Sequence, residues 1–319
     1  MRVAILHDDI AGMPNPREDD RSVLHVVDAV AAALDALGHD ARSVAVDHES
    51  RWIAEISVDQ PDLVFNLCEG VGGLAALEPA AAGVLDLLRI PYTGCSTETL
   101  AFARRKDRVN ASLAAAGLPV PAWTQPRDGG VPAGWRRYPS IVKPAGEDAS
   151  IGIHQASVVR DAAELKSVLR ASPPNSAVII QEFVQGREFN IGFLGLEPLP
   201  VSEIEFDGMP EDRWHIVCWN AKWSPGSPED LGSVACCPAK IDFALTTYLT
   251  NIALMAWRAV EGRGYGRVDL RLDAKDRGWI LEVNPNPDLS LDAGLARMAS
   301  AAGIGYTELI GRIVAEALP

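Results

Sequence analysis

The sequence predicts an α/β protein with a parallel sheet at its N-terminal end, and three observations carry that reading. Apolar runs suited to buried strands, residues 2–6, 41–46 and 62–68, are separated by stretches with helical periodicity. The first of those stretches places Val23, Val26, Val27, Val30, Leu34 and Leu37 on one stripe, with Ser22 positioned to cap it and Gly38 to end it. The third observation is composition: 319 residues, 48% hydrophobic and 23% charged, are enough for two or three cores in an ordinary globular chain.

Each element has its own signal. After the first strand come Asp8, Asp9, a Gly/Pro-rich loop and the acidic run Glu18-Asp19-Asp20. A polar helix is predicted over 50–58 between the second and third strands, so the strand order strand–helix–strand–helix–strand implies a parallel sheet with its ligand edge at the strands' C-terminal ends. Asp8, Asp9, Asn66, Glu69, Gly70, Gly72 and Gly73 fall there. The glycines fit neither GxGxxG nor GxxxxGK[ST], which makes them a substrate-facing turn rather than a phosphate loop. Helices follow over 74–88, from a Ser96 or Thr97 cap through Lys106, and from Arg108 to Gly117, where Leu118 to Pro121 stops the chain.

The next block reads as a strand at Ser140–Pro144 bearing Lys143, a Gly-containing turn through Gly152, a strand over 153–159, a helix over 162–169, and an apolar strand over 177–184. Two more strands lie within 190–206. Residues 207–239 lack a strong period, and an aperiodic stretch of that length suits a binding loop. A long helix over 241–260, a hairpin over 267–284 and a last helix over 306–318 complete the chain.

Charge and composition exclude several classes. A net charge of -14 argues against a nucleic-acid surface or a polybasic membrane patch, and no run reaches the 18 apolar residues of a membrane span. The expectation is a cytoplasmic protein acting on small molecules. Five cysteines without CxxC or zinc spacing read as small buried residues in a reducing compartment.

The hairpin is where chemistry concentrates. With a loop at residues 274–277, Asp269 falls opposite Glu282 and Arg267 opposite Asn284, while Val268, Leu270, Leu272, Leu281 and Val283 form the apolar faces. Two facing carboxylates repel unless a cation lies between them, and the oxygen-only set Asp269, Glu282 and Asn284 suits Mg2+ with water and nucleotide phosphates as its remaining ligands. Lys143 beside a flexible turn can fold over a polyphosphate. The strand end at 177–184 offers backbone amides to an adenine, and Glu188 one short turn later can take ribose hydroxyls.

Taken in order, Ile90-Pro91-Tyr92-Thr93-Gly94, Lys106, Val142-Lys143-Pro144, Ser150-Ile151-Gly152, Glu182 through Glu188, Ala221-Lys222-Trp223, Cys237-Pro238-Ala239, Gly266-Arg267-Val268-Asp269 and Glu282-Val283-Asn284 resemble the ATP-grasp superfamily. Within it they resemble the D-alanine–D-alanine ligases, over nearly the whole chain. The resemblance implies an N-terminal α/β pre-ATP-grasp domain over 1–96, a central lid domain over 97–183 and a catalytic domain over 184–319, the last two forming a two-part α+β ATP-grasp fold. It implies ATP and Mg2+, two ions for which Mn2+ can substitute, and ADP-forming ligation through an acyl phosphate. Lys106 and Lys143 then hold phosphates, Gln181, Glu182, Phe183 and Val184 form the adenine hinge, and Glu188 binds ribose. Lys222 reaches the phosphates from a mobile loop, Arg267 stabilises the transferring group, and Asp269, Glu282 and Asn284 ligate metal. A homodimer is the expected assembly, because related ligases form one.

The departures gather on the substrate side. The family's catalytic serine falls at Ala149, with Asp148 before it, leaving Ser150 as the hydroxyl carried as catalytic. The loop tyrosine is Trp223, a backbone-donor glycine is Asp288, the serine that holds the second substrate's carboxylate is Ala293, and the histidine of a His-Gly turn is Glu69. Asp19, Glu69, Asp148, Trp223 and Asp288 are therefore the candidate substrate residues, and the added acids suggest a substrate with an extra cationic group or a positioned amine. Arg17, Arg21 and Arg297 are alternative partners for those acids. The expected activity is joining two amino-acid-like substrates into a dipeptide or related amide. The alternatives are true D-alanine–D-alanine ligation in cell-wall synthesis and an ATP-binding module without catalysis.

Overall fold

The computed structural model describes residues 1–13, 18–126, 130–173 and 177–318, with the backbone alone for residues 18–20. The chain opens with β1 (Arg2–Asp8), α1 (Glu18–Ala36), β2 (Asp40–Val46), α2 (Arg51–Asp59), β3 (Leu63–Asn66) and α3 (Glu78–Leu88). The three strands form a parallel sheet in the order β2-β1-β3, as the alternation of elements predicts. One boundary moves: α1 begins at Glu18 rather than after Ser22. Its end is at the expected glycine, where Gly38 adopts φ 77° and His39 N–H reaches back to the Leu34 carbonyl.

Two short helices follow, α4 (Thr97–Ala103) and α5 (Lys106–Ala115), and Ser96 caps α4 by accepting from Thr99 N–H. The expected helix through Lys106 is broken at Arg105, so Lys106 starts the second helix instead of ending the first. A four-stranded antiparallel sheet comes next, built from β4 (Trp123–Thr124), β5 (Ser140–Pro144), β6 (Val158–Val159) and β7 (Val178–Glu182) in the order β4-β7-β5-β6, with α6 (Ala162–Ala171) against it. The strand expected over 153–159 is mostly a turn of 3-10 helix at Gln155–Ser157, and only its last two residues pair.

The largest sheet holds β8 (Arg187–Leu194), β9 (Glu197–Pro198), β10 (Ser202–Glu205), β11 (Val234–Cys236), β12 (Tyr265–Leu272) and β13 (Gly278–Pro285). Its order is β11-β10-β8-β12-β13, with β9 pairing β8. Within the aperiodic stretch lie α7 (Trp219–Trp223), α8 (Pro228–Leu231) and β11, all too short for a periodic signal. The helices α9 (Phe243–Ala259), α10 (Gly294–Ala301) and α11 (Tyr306–Glu316) finish the chain.

The two faces of this sheet do different work. Phe189, Ile191, Phe193, Val268, Leu270 and Leu272 point to one side and join Leu249, Ile252, Ala256 and Trp257 of α9 in the main core, which Leu100, Val109 and Leu113 of α4 and α5 also enter. Trp257 stacks on Phe193 at 5.9 Å, donates its indole N–H to the Gly195 carbonyl, and fits because Gly266 has no side chain: a Cβ there would meet the ring at 2.2 Å. The other face presents Glu188, Asn190, Arg267, Asp269 and Arg271, residues two apart along each strand.

Candidate active site

The hairpin β12–β13 sets the site. Arg267 pairs with Asn284 and Asp269 with Glu282, as expected from the loop length, but the register slips by one beyond Asp269, where Leu270 pairs with Ile280. Leu281 is thus the extra residue of a bulge. The expected apolar phase of β13 changes there: Ile280 and Val283 are buried, whereas Leu281 is half-buried and turns toward Lys106, Val109 and Leu113 of α5.

Register extends the acidic pair into a row. Ser202, Asn190, Asp269 and Glu282 lie side by side across β10, β8, β12 and β13. Asp269 accepts from Asn190 Nδ2 at 2.7 Å and Asn284 Nδ2 at 2.9 Å, and from Arg267 Nε and Nη2 at 2.7 and 3.0 Å. Burial alone would weaken the Arg267 charge, but Asp269, Glu282 and Asp288 more than offset it, so its pKa is raised. Because Asn284 turns its nitrogen to Asp269, its carbonyl oxygen is left on the other side, and with the two carboxylates it makes an all-oxygen donor set fit for a hard cation. Among the described residues no group of three or more His, Cys, Asp or Glu could hold a metal, so an ion here takes its other ligands from water or phosphate.

Cations surround this floor. Lys106 Nζ lies 2.5 Å from Glu282 Oε1 and donates to Asp148 Oδ1 and the Glu147 carbonyl at 2.7 and 2.6 Å. Burial acts to neutralise it, yet Glu282 and Asp148 prevail and raise its pKa. Lys143 and Lys222 have the opposite balance: burial lowers both, helped by Lys106 and Arg271 for the first and by Arg267 for the second. Glu282 and Glu188 both attract them and act against that lowering. Lys143 is half-buried and Lys222 exposed, and both, with weakened charge, gain from an incoming polyanion.

The glycine-containing turn and the long loop are tied together. Ser150, at φ 62°, donates its hydroxyl to the Val217 carbonyl at 2.8 Å, and Trp223 donates its indole N–H to the Ala149 carbonyl at 3.1 Å. Trp219 N–H bonds the Ile153 carbonyl, and Gln155 exchanges hydrogen bonds with the Trp214 backbone. Lys222 and Trp223 are therefore carried on a short helix fastened to the turn after Lys143.

The hinge carries a buried Gln181 whose amide nitrogen has no hydrogen-bond partner among the described residues, followed by Glu182 and Phe183, whose N–H groups bond the Ala122 and Pro139 carbonyls. Arg271 fixes the rest: it donates to Glu188 Oε2 at 3.1 and 2.7 Å and to the Val184 and His215 carbonyls, and stacks over Phe183 at 4.8 Å. Glu188 faces Arg271 because the two are register partners.

The substrate candidates are spread more widely. Asp148 is held by Lys106, Trp223 by the turn, and Asp288 is exposed and accepts from Ser290 N–H and Oγ at 2.8 and 2.7 Å. Glu69 donates its N–H to Asp8 Oδ1 at the C-terminal edge of the parallel sheet. The side chain of Asp19 and all of Arg17 lie outside the described residues.

Sequence reasoning missed Asn190, Arg271, Glu78 and Arg104. Arg104 donates to the Gly146 carbonyl at 2.7 Å and lies 3.5 Å from Glu78 Oε2, joining α3 to the turn that carries Asp148. Burial, then Asp148, push the Glu78 carboxyl well above its usual range, while Arg104 pulls it down only in part. An acid with a raised folded pKa holds a proton the unfolded chain gives up, so Glu78 costs stability as pH climbs above about 4.3 toward its folded value. Glu78→Gln is expected to remove that slope, giving a urea midpoint that exceeds wild type increasingly between pH 5 and 8. An unchanged difference across that range would show that Glu78 is ionised.

A family model described as the D-ala D-ala ligase C-terminus matches residues 113–315, more than half of the chain. The D-alanine–D-alanine ligase of Halorhodospira halophila is 34% identical over 297 residues, covering 91% of this chain and 89% of its own. An uncharacterized protein, y4sG, of Sinorhizobium fredii is 31% identical over 304 residues, covering 91% and 86%. Among solved structures, the D-alanine–D-alanine ligase of Bacillus anthracis complexed with ATP superposes with a TM-score of 0.79 at 19% identity, covering 99% of this chain and 97% of its own. The VanG D-Ala:D-Ser ligase of Enterococcus faecalis gives 0.77 at 18% identity, covering 99% of each. Enzymes of this group use ATP and Mg2+, in keeping with the oxygen-only donors and the cations above them. With the register of its acidic hairpin and these relatives agreeing, the chain belongs to the D-alanine–D-alanine ligase family of ATP-grasp ligases.

Proposed function

We propose that the protein is an ADP-forming carboxylate–amine ligase that joins two amino-acid-like substrates into a dipeptide or related amide. The observation that carries the reading is the row of Asp269 and Glu282 with Lys106 and Arg267 paired to it and Lys143 and Lys222 within electrostatic reach of Glu282. Phosphoryl transfer asks little covalent chemistry of the protein; it needs fixed positive charge at the phosphate oxygens and in-line placement. Magnesium, held by Asp269, Glu282 and the Asn284 oxygen, would supply charge neutralisation on the phosphates, with a two-ion arrangement for which Mn2+ can substitute.

In this reading a substrate carboxylate oxygen attacks the terminal phosphorus of ATP, the bond to the bridging oxygen breaks, and ADP leaves. The amine nitrogen then attacks the acyl carbon, losing a proton, and the tetrahedral oxyanion collapses to the amide with loss of phosphate. In this proposal Arg267 offers the fixed charge for the transferring group and the oxyanion, Lys222 and Lys143 hold phosphate oxygens, and Ser150 acts from the turn after Lys143. Gln181 to Val184 and Glu188 would take adenine and ribose. The division 1–96, 97–183 and 184–319, a homodimer and a cytoplasmic location complete the proposal.

The names of the sequence relatives favour D-alanine for both substrates and that of VanG pairs it with D-serine, whereas the acids at positions 69, 148 and 288 favour other amino-acid-like partners. A screen of ADP release over L- and D-amino acids, singly and in pairs, with product masses measured, separates these. Release by at least one pair, with a product one water lighter than the pair, is expected. ATP binding without ADP release across the panel would leave only a nucleotide-binding module.

A further inference from the structure

Between α5 and β13 lies a small cavity of about 10 Å3, lined by Lys106, Asn110 and Leu113 on one side and Leu281, Glu282 and Val283 on the other. That is room for about one water molecule. The bulge residue Leu281 supplies part of the wall, so the slip in register that sets the phase of Glu282 also shapes the space beside it. Lys106 and Asn110 stand four apart on α5 and so share a helix face; both are buried, Asn110 to 4% exposure. Helical side chains lean toward the N-terminus, which carries the Asn110 amide back over the turn that bears Lys106.

Two polar atoms of this lining are complementary. Asn110 Nδ2, a donor, is buried and has no hydrogen-bond partner among the described residues. Glu282 Oε1, an acceptor, is buried as well, and although Lys106 Nζ lies 2.5 Å away, the angle between them makes no hydrogen bond. The Lys106 ammonium instead donates to Asp148 Oδ1 and the Glu147 carbonyl. A buried amide N–H and a buried carboxylate oxygen each cost free energy when left unpaired. One water accepting from Asn110 and donating to Glu282 satisfies both.

The consequence falls on Glu282. With Oε1 held from the α5 side, the plane of the carboxylate is fixed and its other oxygen is left for a cation. Hydrogen bonds to a ligating carboxylate orient it in this way, and losing one typically weakens metal binding by about tenfold or more. We propose that Asn110 is a positioning residue for the metal ligand Glu282, acting through one water held in this cavity. The assignment rests on Glu282 as a ligand in the ligase reading, so binding and turnover are measured separately.

The first test is a crystal structure of the wild-type protein, in which a water is expected within about 3.2 Å of both Asn110 Nδ2 and Glu282 Oε1. A direct hydrogen bond between those two atoms, or a cavity without ordered density, would overturn the bridge. The second test measures Mn2+ binding to the ADP complex by electron paramagnetic resonance of the free ion. Asn110→Leu, which fills the cavity with apolar atoms, should weaken Mn2+ about tenfold. Metal-free ADP binding should stay unchanged and the urea midpoint no lower than wild type, since a purely structural asparagine would move those two quantities instead. Asn110→Ser, which keeps a donor, should retain most of the Mn2+ affinity. If Asn110→Leu fails to fold, Asn110→Val takes its place with the same expectation. Unchanged Mn2+ affinity in the folded apolar variant, or an equal loss in Asn110→Ser, would overturn the positioning role. ADP release is followed in parallel with Mg2+ varied. Mn2+ binding that depends on Asn110 in a protein releasing no ADP would remove the ligase reading alone, and release with an unchanged KM for Mg2+ in Asn110→Leu would remove the positioning role alone.

Discussion

Asp269→Asn is expected to slow ADP formation about a thousandfold, equivalent to roughly 4 kcal/mol of lost transition-state stabilisation. The size follows from how many groups one carboxylate organises: two bonds from Arg267, one from Asn190 and one from Asn284 converge on its two oxygens. Asparagine keeps the shape but presents an N–H to one of those donors, removes a metal ligand's charge, and leaves the half-buried Arg267 without its closest partner. The measurement is coupled ADP release with a pair found in the amino-acid screen, beside Mg-ADP binding by calorimetry. Turnover within tenfold of wild type would take Asp269 out of the phosphate floor.

Arg271→Met carries the largest expected loss of stability. Arg271 is 2% exposed and Glu188 9% exposed, and the arginine joins β12 to β8, to the end of the hinge at Val184 and to the long loop at His215. Removing one partner of a buried pair costs about 3–5 kcal/mol, because the other charge is left desolvated and unpaired. Glu188→Gln is expected to cost less, since an amide tolerates burial, and the double variant less than the two single losses added together. Urea denaturation of the three variants closes the cycle. A loss under about 1 kcal/mol for Arg271→Met would mean that water reaches the pair and screens it.

What the sequence made legible follows the range of the interactions. The parallel N-terminal sheet, the facing of Asp269 and Glu282, and the stop at Gly38 are local or nearly so, and each was readable from periodicity and loop length. Arg271 and Asn190 were not, although both lie on the period-two face of recognised strands. Their roles depend on β8 pairing with β12, a contact between segments far apart in the chain that no spacing rule announces. Glu78 was hidden for another reason: it opens a helix, where an acid is ordinary, and only burial beside Asp148 makes it unusual. The short elements α7, α8 and β11 escaped because fewer than six residues cannot show a period.

The bulge at Leu281 has a consequence for how this enzyme tolerates change. Toward the loop, β13 is locked in phase with α9 through Ile280; toward its end, Glu282 and Asn284 are in phase with Asp269 and Arg267 of β12. One unpaired residue joins these two phases, so it works like a coupling between shafts set at different angles. Repacking Ile280 or the α9 face can shift the loop half without rotating the metal-facing half, because the unpaired Leu281 takes up the shift while Glu282 keeps its partner Asp269. The site is thereby insulated from its own core by a single leucine.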